Sequence, residues 1–371
     1  MNNRPCYLEI NLNSIKENFL NIKRHTNKKV IGIVKADAYG HGAIAVSSVL
    51  IQNGVDALGV ATVEEAIELR REYSSIDILI LGPVVESQIL ECLSNNISMT
   101  ISSIAEGKLI SSIAEKNGSY ANVHVAVDTG MGRIGYFAHS FNENIIDDIS
   151  DVLNIKNLRI QGIFTHFASA DESDLSFMKH QYDIFSAIVK CLLSKGYSFE
   201  YIHSQNSAGC VNLKENICNT IRAGISLYGY TPSSDTPDIL KLKPALNWKC
   251  KITHIKKVPN GTPIGYGSTY ITDKDTTVAT IPVGYADGLR RALSNGFNVC
   301  YNNISVPIIG RVCMDQSMID ASAIKDCKVG DVISLISELN PIELMAEHCG
   351  TINYEILCGI SKRVPRIYLN N

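Results

Sequence analysis

No stretch of the 371-residue sequence reaches the roughly 18 consecutive apolar residues that a membrane-spanning helix needs, so no segment is expected to cross a bilayer. The N-terminal stretch MNNRPCYLEINLNS has no apolar core and no small-residue cleavage pattern, which argues against a secretory leader. Basic charge is not in excess. Lys+Arg number 34 against 37 Asp+Glu, for a net charge of −3; without a basic field to attract phosphate backbones, a nucleic-acid partner is not expected. Eleven cysteines are present, yet none forms a C-x-x-C pair and none stands with histidine at zinc spacing, so no metal site is expected. An odd number of scattered thiols in a chain without a leader reads as free, buried cysteine in a reducing cytoplasm.

What is present is ample core material. Hydrophobic residues make up 45% of the chain and charged residues 19%, and the length suits two domains or one barrel with an appendage. Eight short apolar runs punctuate the first two thirds: VIGIV (30–34), ALGVA (57–61), IDILILG (76–82), ISMTI (97–101), NVHVAV (122–127), IQGIF (160–164), FEYIH (199–203) and TIRAGISLYG (220–229). Their near-continuous hydrophobicity is that of strands buried on both faces. Stretches of helical period lie between them. Thr62 with Glu65 makes a capping-box pattern ahead of Ala66, Ile67 and Leu69, and Ser14 with Glu17 gives the same start signal for a helix carrying Ile15, Phe19 and Ile22.

Eight strands with helical crossovers predict an N-terminal (β/α)8 barrel; a doubly wound open sheet is the alternative. TPSSDTPDILKLKP, around 231–244, reads as a boundary. Beyond it, short strands with turn signals predict a C-terminal all-β domain. The expected division is 1–237 and 238–371.

Barrel enzymes work at the C-terminal ends of their strands, and the chemistry-bearing residues fall there. Lys35 follows the first run. It is either a solvated strand end or a partly desolvated amine able to carry a carbonyl cofactor. Tyr39, beside Gly40 and Gly42, is either a ligand contact or a packed aromatic. VDTGMGRIG, after the fifth run, ends in Arg133, which is an anion contact or a surface charge. His166 closes the sixth run as a structural or a catalytic histidine. Ser207, in HSQNSAG, has small neighbours at a predicted helix start, suited to phosphate or to an ordinary N-cap. Arg222 and Gly224 lie in the eighth run, where barrel phosphate sites recur.

Taken together, VKADAYGHG, VDTGMGRIG, THFA, HSQNSAG, RAGISLYG, IGYGSTY, VGYADG, GRVCMDQ and TINYE…RVPRIY resemble the alanine racemase family in order and spacing over essentially the whole chain. The resemblance implies an enzyme that interconverts L- and D-alanine with pyridoxal 5′-phosphate, supplying D-alanine for cell-wall peptidoglycan. It implies that Lys35 carries the cofactor and is one base, and that Tyr266, supplied by the second subunit of a homodimer, is the other. Tyr39, Ser207, Gly224, Ile225 and Tyr354 match the positions holding the phosphate. Arg222 matches the group facing the pyridine nitrogen, Arg133 the group facing the phenolic oxygen, and His166 the histidine linked to Arg222. Met314 and Asp315 match substrate-contacting and positioning residues, and Tyr285 a tyrosine at the entrance. A tyrosine acting as a base needs positive charge beside it, which arginines at the site would supply.

The sequence departs from the family at Ala126, seven residues before Arg133, where a modified lysine often orients that arginine. A different carboxylate, a bound anion such as chloride, or water is expected in its place. Among rival readings, amino-acid decarboxylases of the same architecture match the motif series poorly. A non-catalytic cofactor-binding or regulatory protein has no use for Tyr266 or for residues 245–371. Serine is the alternative substrate, since it adds one hydroxyl and pockets discriminate weakly against such additions; Tyr354 favours alanine by crowding the substrate side chain.

Overall fold

A computed structural model describes residues 4–214 and 216–370; Met1–Asn3, the start of the stretch read as lacking a leader, lie outside the described residues. The chain forms two compact units. One comprises the described part of Met1–Asn13 with Tyr39–Gly42 and Pro244–Asn371, the other Ser14–Ala38 with Ala43–Lys243.

The second unit is the barrel. Its strands are β1 (Lys29–Ile33), β2 (Ala57–Val60), β3 (Asp77–Ile80), β4 (Met99–Ile101), β5 (Ala121–Asp128), β6 (Leu158–Phe164), β7 (Tyr201–His203) and β8 (Thr220–Ala223), one for each apolar run in the sequence. They pair in parallel in the order β3-β2-β1-β8-β7-β6-β5-β4. A parallel bridge between Leu79 and Ser98 joins the two ends, so the ring is nearly closed. Strand residues such as Val30, Ile31, Leu58, Ile78, Met99 and Val123 are fully buried, which is why the sequence writes continuous rather than alternating hydrophobicity.

The crossover helices follow their start signals unevenly. Thr62 caps the helix Val63–Glu72 with the reciprocal Thr62/Glu65 bonds of a capping box, and Ala66, Ile67 and Leu69 are buried beneath it. The first helix begins at Leu12 rather than at Ser14, so Ser14 lies inside it; Ile15, Phe19 and Ile22 form its buried stripe.

The other unit is mostly sheet. Its six-stranded sheet contains the N-terminal strand Cys6–Asn11, which runs antiparallel to Leu246–Lys251 and parallel to Arg366–Leu369. Three-stranded and two-stranded sheets complete it, with two short helices, Ile342–His348 and Asn353–Gly359, that the all-β expectation omits. Among the described residues none of the eleven cysteines is in a disulfide, but only Cys6, Cys92, Cys210, Cys218 and Cys250 are buried, and Cys358 is exposed. Among the described residues no helix is long and apolar enough to cross a membrane, and no cluster of His, Cys, Asp or Glu suits a metal ion.

Candidate active site

The predicted site residues fall into two sets, one on each unit. On the barrel, Lys35 stands two residues beyond β1. The backbone that follows is unusual: Ala36, Asp37, Ala38 and Tyr39 have φ of 51°, 53°, 53° and 52°, a left-handed turn built without glycine. Such a conformation costs about 1–2 kcal/mol per residue and persists where its surroundings over-determine it. Here Glu65 Oε1 accepts from Ala36 N–H (2.7 Å), Asp37 Oδ1 from Ala43 N–H (2.8 Å), and Val34 C=O from Ala38 N–H (2.8 Å). Glu65 therefore both caps its own helix and fixes the chain beside Lys35. Nothing in KADAYGHG announces this turn.

Arg222 points into the barrel from within β8 and is buried. Its Nη1 donates to His203 Nδ1 (2.8 Å) and His203 C=O (3.1 Å). Its Nη2 donates to Thr165 C=O (2.9 Å), His166 Nδ1 (3.0 Å) and Ser204 C=O (3.1 Å). Every acceptor is neutral, and none of the five bonds involves Nε. Burial lowers the guanidinium only to about 10, so it remains a cation at neutral pH. His166 is held well below the ordinary imidazole range by burial first, then by the positive charges of Arg222, Arg133 and Lys35. The structure thus gathers three predicted cations around one neutral histidine, a field suited to an anionic ligand. Gln181, on the helix Ser176–Ser194, steadies this wall by donating to His166 C=O (3.1 Å) and accepting from Ala168 N–H (2.9 Å).

Ser207 was expected at a helix start. The helix there, Gly209–Asn212, is only four residues long and has no side-chain cap. The Ser207 hydroxyl instead turns toward the end of β8, where Oγ accepts from Gly224 N–H (3.1 Å), Ser226 N–H (3.3 Å) and the Ser226 hydroxyl (2.9 Å). Ile225 opens the short 3-10 turn that presents these groups. With three donors converging on its oxygen, the Ser207 hydroxyl keeps its own proton to donate, the polarity a phosphate oxygen requires.

Arg133 is exposed at the end of a loop that Asp128 shapes, its Oδ1 accepting from Gly130 and Gly132 N–H (both 3.0 Å). Ala126 is buried in β5. Among the described residues no carboxylate lies within 4.0 Å of Arg133, so of the three partners expected for it, carboxylate, bound anion or water, a protein carboxylate is not found.

On the sheet unit, Tyr39 and Tyr354 face each other with ring centroids 5.9 Å apart. Tyr266 occupies a tight loop between Gly265 (φ 73°) and Gly267 (φ 70°), and its side chain is 70% exposed. A Cβ at Gly267 would come within 3.3 Å of the Arg311 guanidinium, placing a cation against the loop that carries the tyrosine. Tyr285 and Met314 lie on backbones that touch: Tyr285 N–H donates to Cys313 C=O and Ala286 N–H to Met314 C=O, both at 3.0 Å. Only glycine at 284 permits this, since a Cβ there would sit 2.3 Å from the Cys313 oxygen.

Asp315 accepts from Arg363 Nη2 (2.6 Å), and Arg363 Nε pairs with the fully buried Asp287 (2.8 Å). Asp287 also pairs with Arg4 and accepts from Gly284 N–H (3.0 Å). Arg363, Asp287, Arg311, His203 and Ser226 are the supporting residues that sequence reasoning passed over. VGYADG and RVPRIY contain two of them, but without a signal that they meet.

The three neutral histidines of the barrel make it acid-labile. His124 is pushed down to about 3 by burial and by Arg222, and His166 and His203 are also held well below 6.5. The unfolded chain binds these protons below its ordinary histidine pKa of about 6.5 while the folded chain does not. Stability therefore falls as the pH drops below that value, by up to about 1.4 kcal/mol per pH unit for each histidine that stays neutral. Denaturant melts at about pH 7, 6 and 5 should show a steepening loss; a flat profile would contradict the buried neutral assignment.

The family described as "Alanine racemase, N-terminal domain" matches residues 10–232, and "Alanine racemase, C-terminal domain" matches residues 245–368. An alanine racemase of Clostridium novyi (strain NT) is 44% identical across 99% of this chain and 96% of its own length. Among solved structures, an alanine racemase of Clostridium difficile 630 superposes with a TM-score of 0.94 at 38% identity, covering 99% of this chain and 96% of that one. That of Bacillus anthracis with bound L-Ala-P gives 0.91 at 34% identity, with the same coverage.

Proposed function

The chain belongs to the alanine racemase family, and from that premise we propose that it interconverts L- and D-alanine by a two-base mechanism, with pyridoxal phosphate held on the barrel and a homodimer completing each site. The observation that carries this reading is Arg222, a buried cation bonded only to neutral acceptors, with Lys35 and Arg133 adding to the same positive field.

The residues fit the cofactor. Ser207, whose Oγ gathers the Gly224 N–H and the Ser226 hydroxyl and keeps its own O–H to donate, is assigned to the phosphate with Gly224 and Ile225, and the family resemblance assigns Tyr39 and Tyr354 to the same group. Arg222 has Nε–H left to face the ring nitrogen, and Arg133 is assigned to the phenolic oxygen. When bound, pyridoxal phosphate delocalises the charge left on Cα after its proton departs.

The protein's own groups do the rest. Lys35 carries the cofactor and moves the Cα proton on one face at Nζ; Tyr266 of the partner subunit moves it on the other at Oη. Arg222, a donor at neutral pH, would occupy the ring nitrogen's lone pair and so keep it unprotonated, which would weaken the electron sink and disfavour chemistry beyond proton transfer. His166, kept neutral, links that arginine to the proton-moving groups. Met314 and Asp315 contact and position the substrate, and Tyr285 lines the entrance. The 70% exposure of Tyr266 in the single chain supports its completion by a second subunit. Arg133 then needs an anion or water as its orienting partner.

The test is D-alanine formation from L-alanine by the purified protein, with L-serine in parallel. Alanine turnover is expected to exceed serine turnover by about 100-fold; turnover of serine without alanine would overturn the substrate assignment. The D-alanine formed would be the expected supply for peptidoglycan.

A further inference from the structure

We propose that His124 is a positioning residue for this site: it accepts the Nε2–H that Arg222 leaves on His203 and so holds that imidazole, and through it the guanidinium of Arg222, in place. The inference rests on reading Arg222 as the group that faces the cofactor's ring nitrogen.

His124 lies in β5, where a histidine between valines looks like one more core residue. The backbone is built around its ring. The β5–β6 register shifts between Val123 and His124, and the residue opposite, Gly162, leaves the space the imidazole fills, since a Cβ there would lie 2.4 Å from His124 Nδ1. Tyr201 stacks on the other side (5.4 Å between ring centroids, 29° between planes). His124 meets His203 edge-on at 5.2 Å, Phe164 stacks on His203 at 4.9 Å and 12°, and the Arg222 guanidinium sits over Phe164 at 5.4 Å. Each ring is held by the next.

The proton positions follow from one fact: a guanidinium has donors only. His203 Nδ1, 2.8 Å from Arg222 Nη1, must accept, so the proton of the neutral ring is on Nε2. That N–H points at His124 Nδ1, 3.0 Å away, which must accept in turn, so His124 also carries its proton on Nε2. His166 Nδ1 accepts from Nη2 and is the same tautomer. A carboxylate in the place of His124 would draw His203 toward the imidazolium and oppose the charge of Arg222. A neutral imidazole fixes the direction of the chain while leaving that charge for the ligand. Without an acceptor at this position, His203 Nε2–H is buried and unsatisfied. The ring can relieve that proton only by turning away or by moving it to Nδ1, where it confronts the arginine with a donor; either way the bond from Arg222 is weakened.

Histidine-nitrogen NMR on the holoenzyme tests this directly. In the wild type, His124, His166 and His203 are expected as neutral Nε2–H rings, unchanged from about pH 6 to about pH 9. His124→Leu should shift the His203 signal and lower kcat by about tenfold or more, with KM for alanine within about twofold. His124→Asn, whose Oδ1 falls near the position of Nδ1, should restore the wild-type His203 signal and keep kcat within about threefold.

A wild-type His203 protonated on Nδ1, or doubly protonated, overturns the proposal. So does a folded His124→Leu protein with an unchanged His203 signal and unchanged kcat. If His124→Leu does not fold, the wild-type and His124→Asn spectra still decide. Failure of the wild type to racemise alanine would count against the functional reading alone, since the tautomers are read independently of turnover.

Discussion

Replacing Lys35 by alanine should lower racemisation of both alanine enantiomers by about 10⁴-fold or more while leaving the protein as stable as before, or slightly more so. The expected loss combines two effects of the roles proposed for Lys35: the amine assigned to the cofactor would be gone, and so would the base assigned to one face of Cα. Stability should behave differently. Lys35 is only partly buried, and its charge adds to those of Arg222 and Arg133 around His166. Removing it relieves like-charge repulsion.

The strained turn that follows is fixed through Glu65, Asp37 and Val34. D-alanine formation and a thermal melt of the same preparation check both halves. A variant that keeps more than about one hundredth of the activity would remove Lys35 from the mechanism. A variant that melts well below the wild type would mean that the lysine is structural. Active sites commonly hold residues whose removal stabilises the fold, and a gain in melting temperature here would mark Lys35 as one of them.

The barrel was legible because burial on both faces forces each of its strands to be written as a continuous apolar run; every run contains a strand, but in the eighth, 220–229, the strand stops at Ala223 and Ile225–Tyr228 turns into a 3-10 helix. The strand Cys6–Asn11 was not legible: its partners, Leu246–Lys251 and Arg366–Leu369, are hundreds of residues away, and no local pattern encodes such a pairing. The same distinction runs through the site. Lys35, Arg133, His166 and Ser207 stand just past strand ends, where side-chain type and position together point to chemistry. His124 lies inside a strand and His203 is the last residue of one, positions where periodicity reports only burial. Asp287 and Arg363 acquire meaning through one another. The left-handed turn at Ala36–Tyr39 runs against local propensity, since only tertiary hydrogen bonds make it tolerable for alanine and aspartate.

Tyr266→Phe should lower kcat/KM for racemisation by about 10³-fold in both directions. The losses must be equal, because enantiomers have equal free energies and the ratio of forward to reverse kcat/KM is fixed by that equality. The asymmetry appears elsewhere. With Lys35 intact, the enantiomer whose Cα hydrogen faces Nζ should still exchange that hydrogen with deuterated solvent and retain its configuration, while the other exchanges slowly. Exchange that is lost equally for both enantiomers would show that Tyr266 serves binding or assembly rather than one face of the reaction. The same variant tests the shared site. If Tyr266 acts in the partner's barrel, Tyr266→Phe and Lys35→Ala chains are each inactive as homodimers. Their heterodimer contains one site with both wild-type residues and one with neither. Random re-association in equal amounts makes half the dimers mixed, so about a quarter of the wild-type activity should return. No recovery, in mixtures where mass measurement shows heterodimers, would place Tyr266 in the site of its own chain.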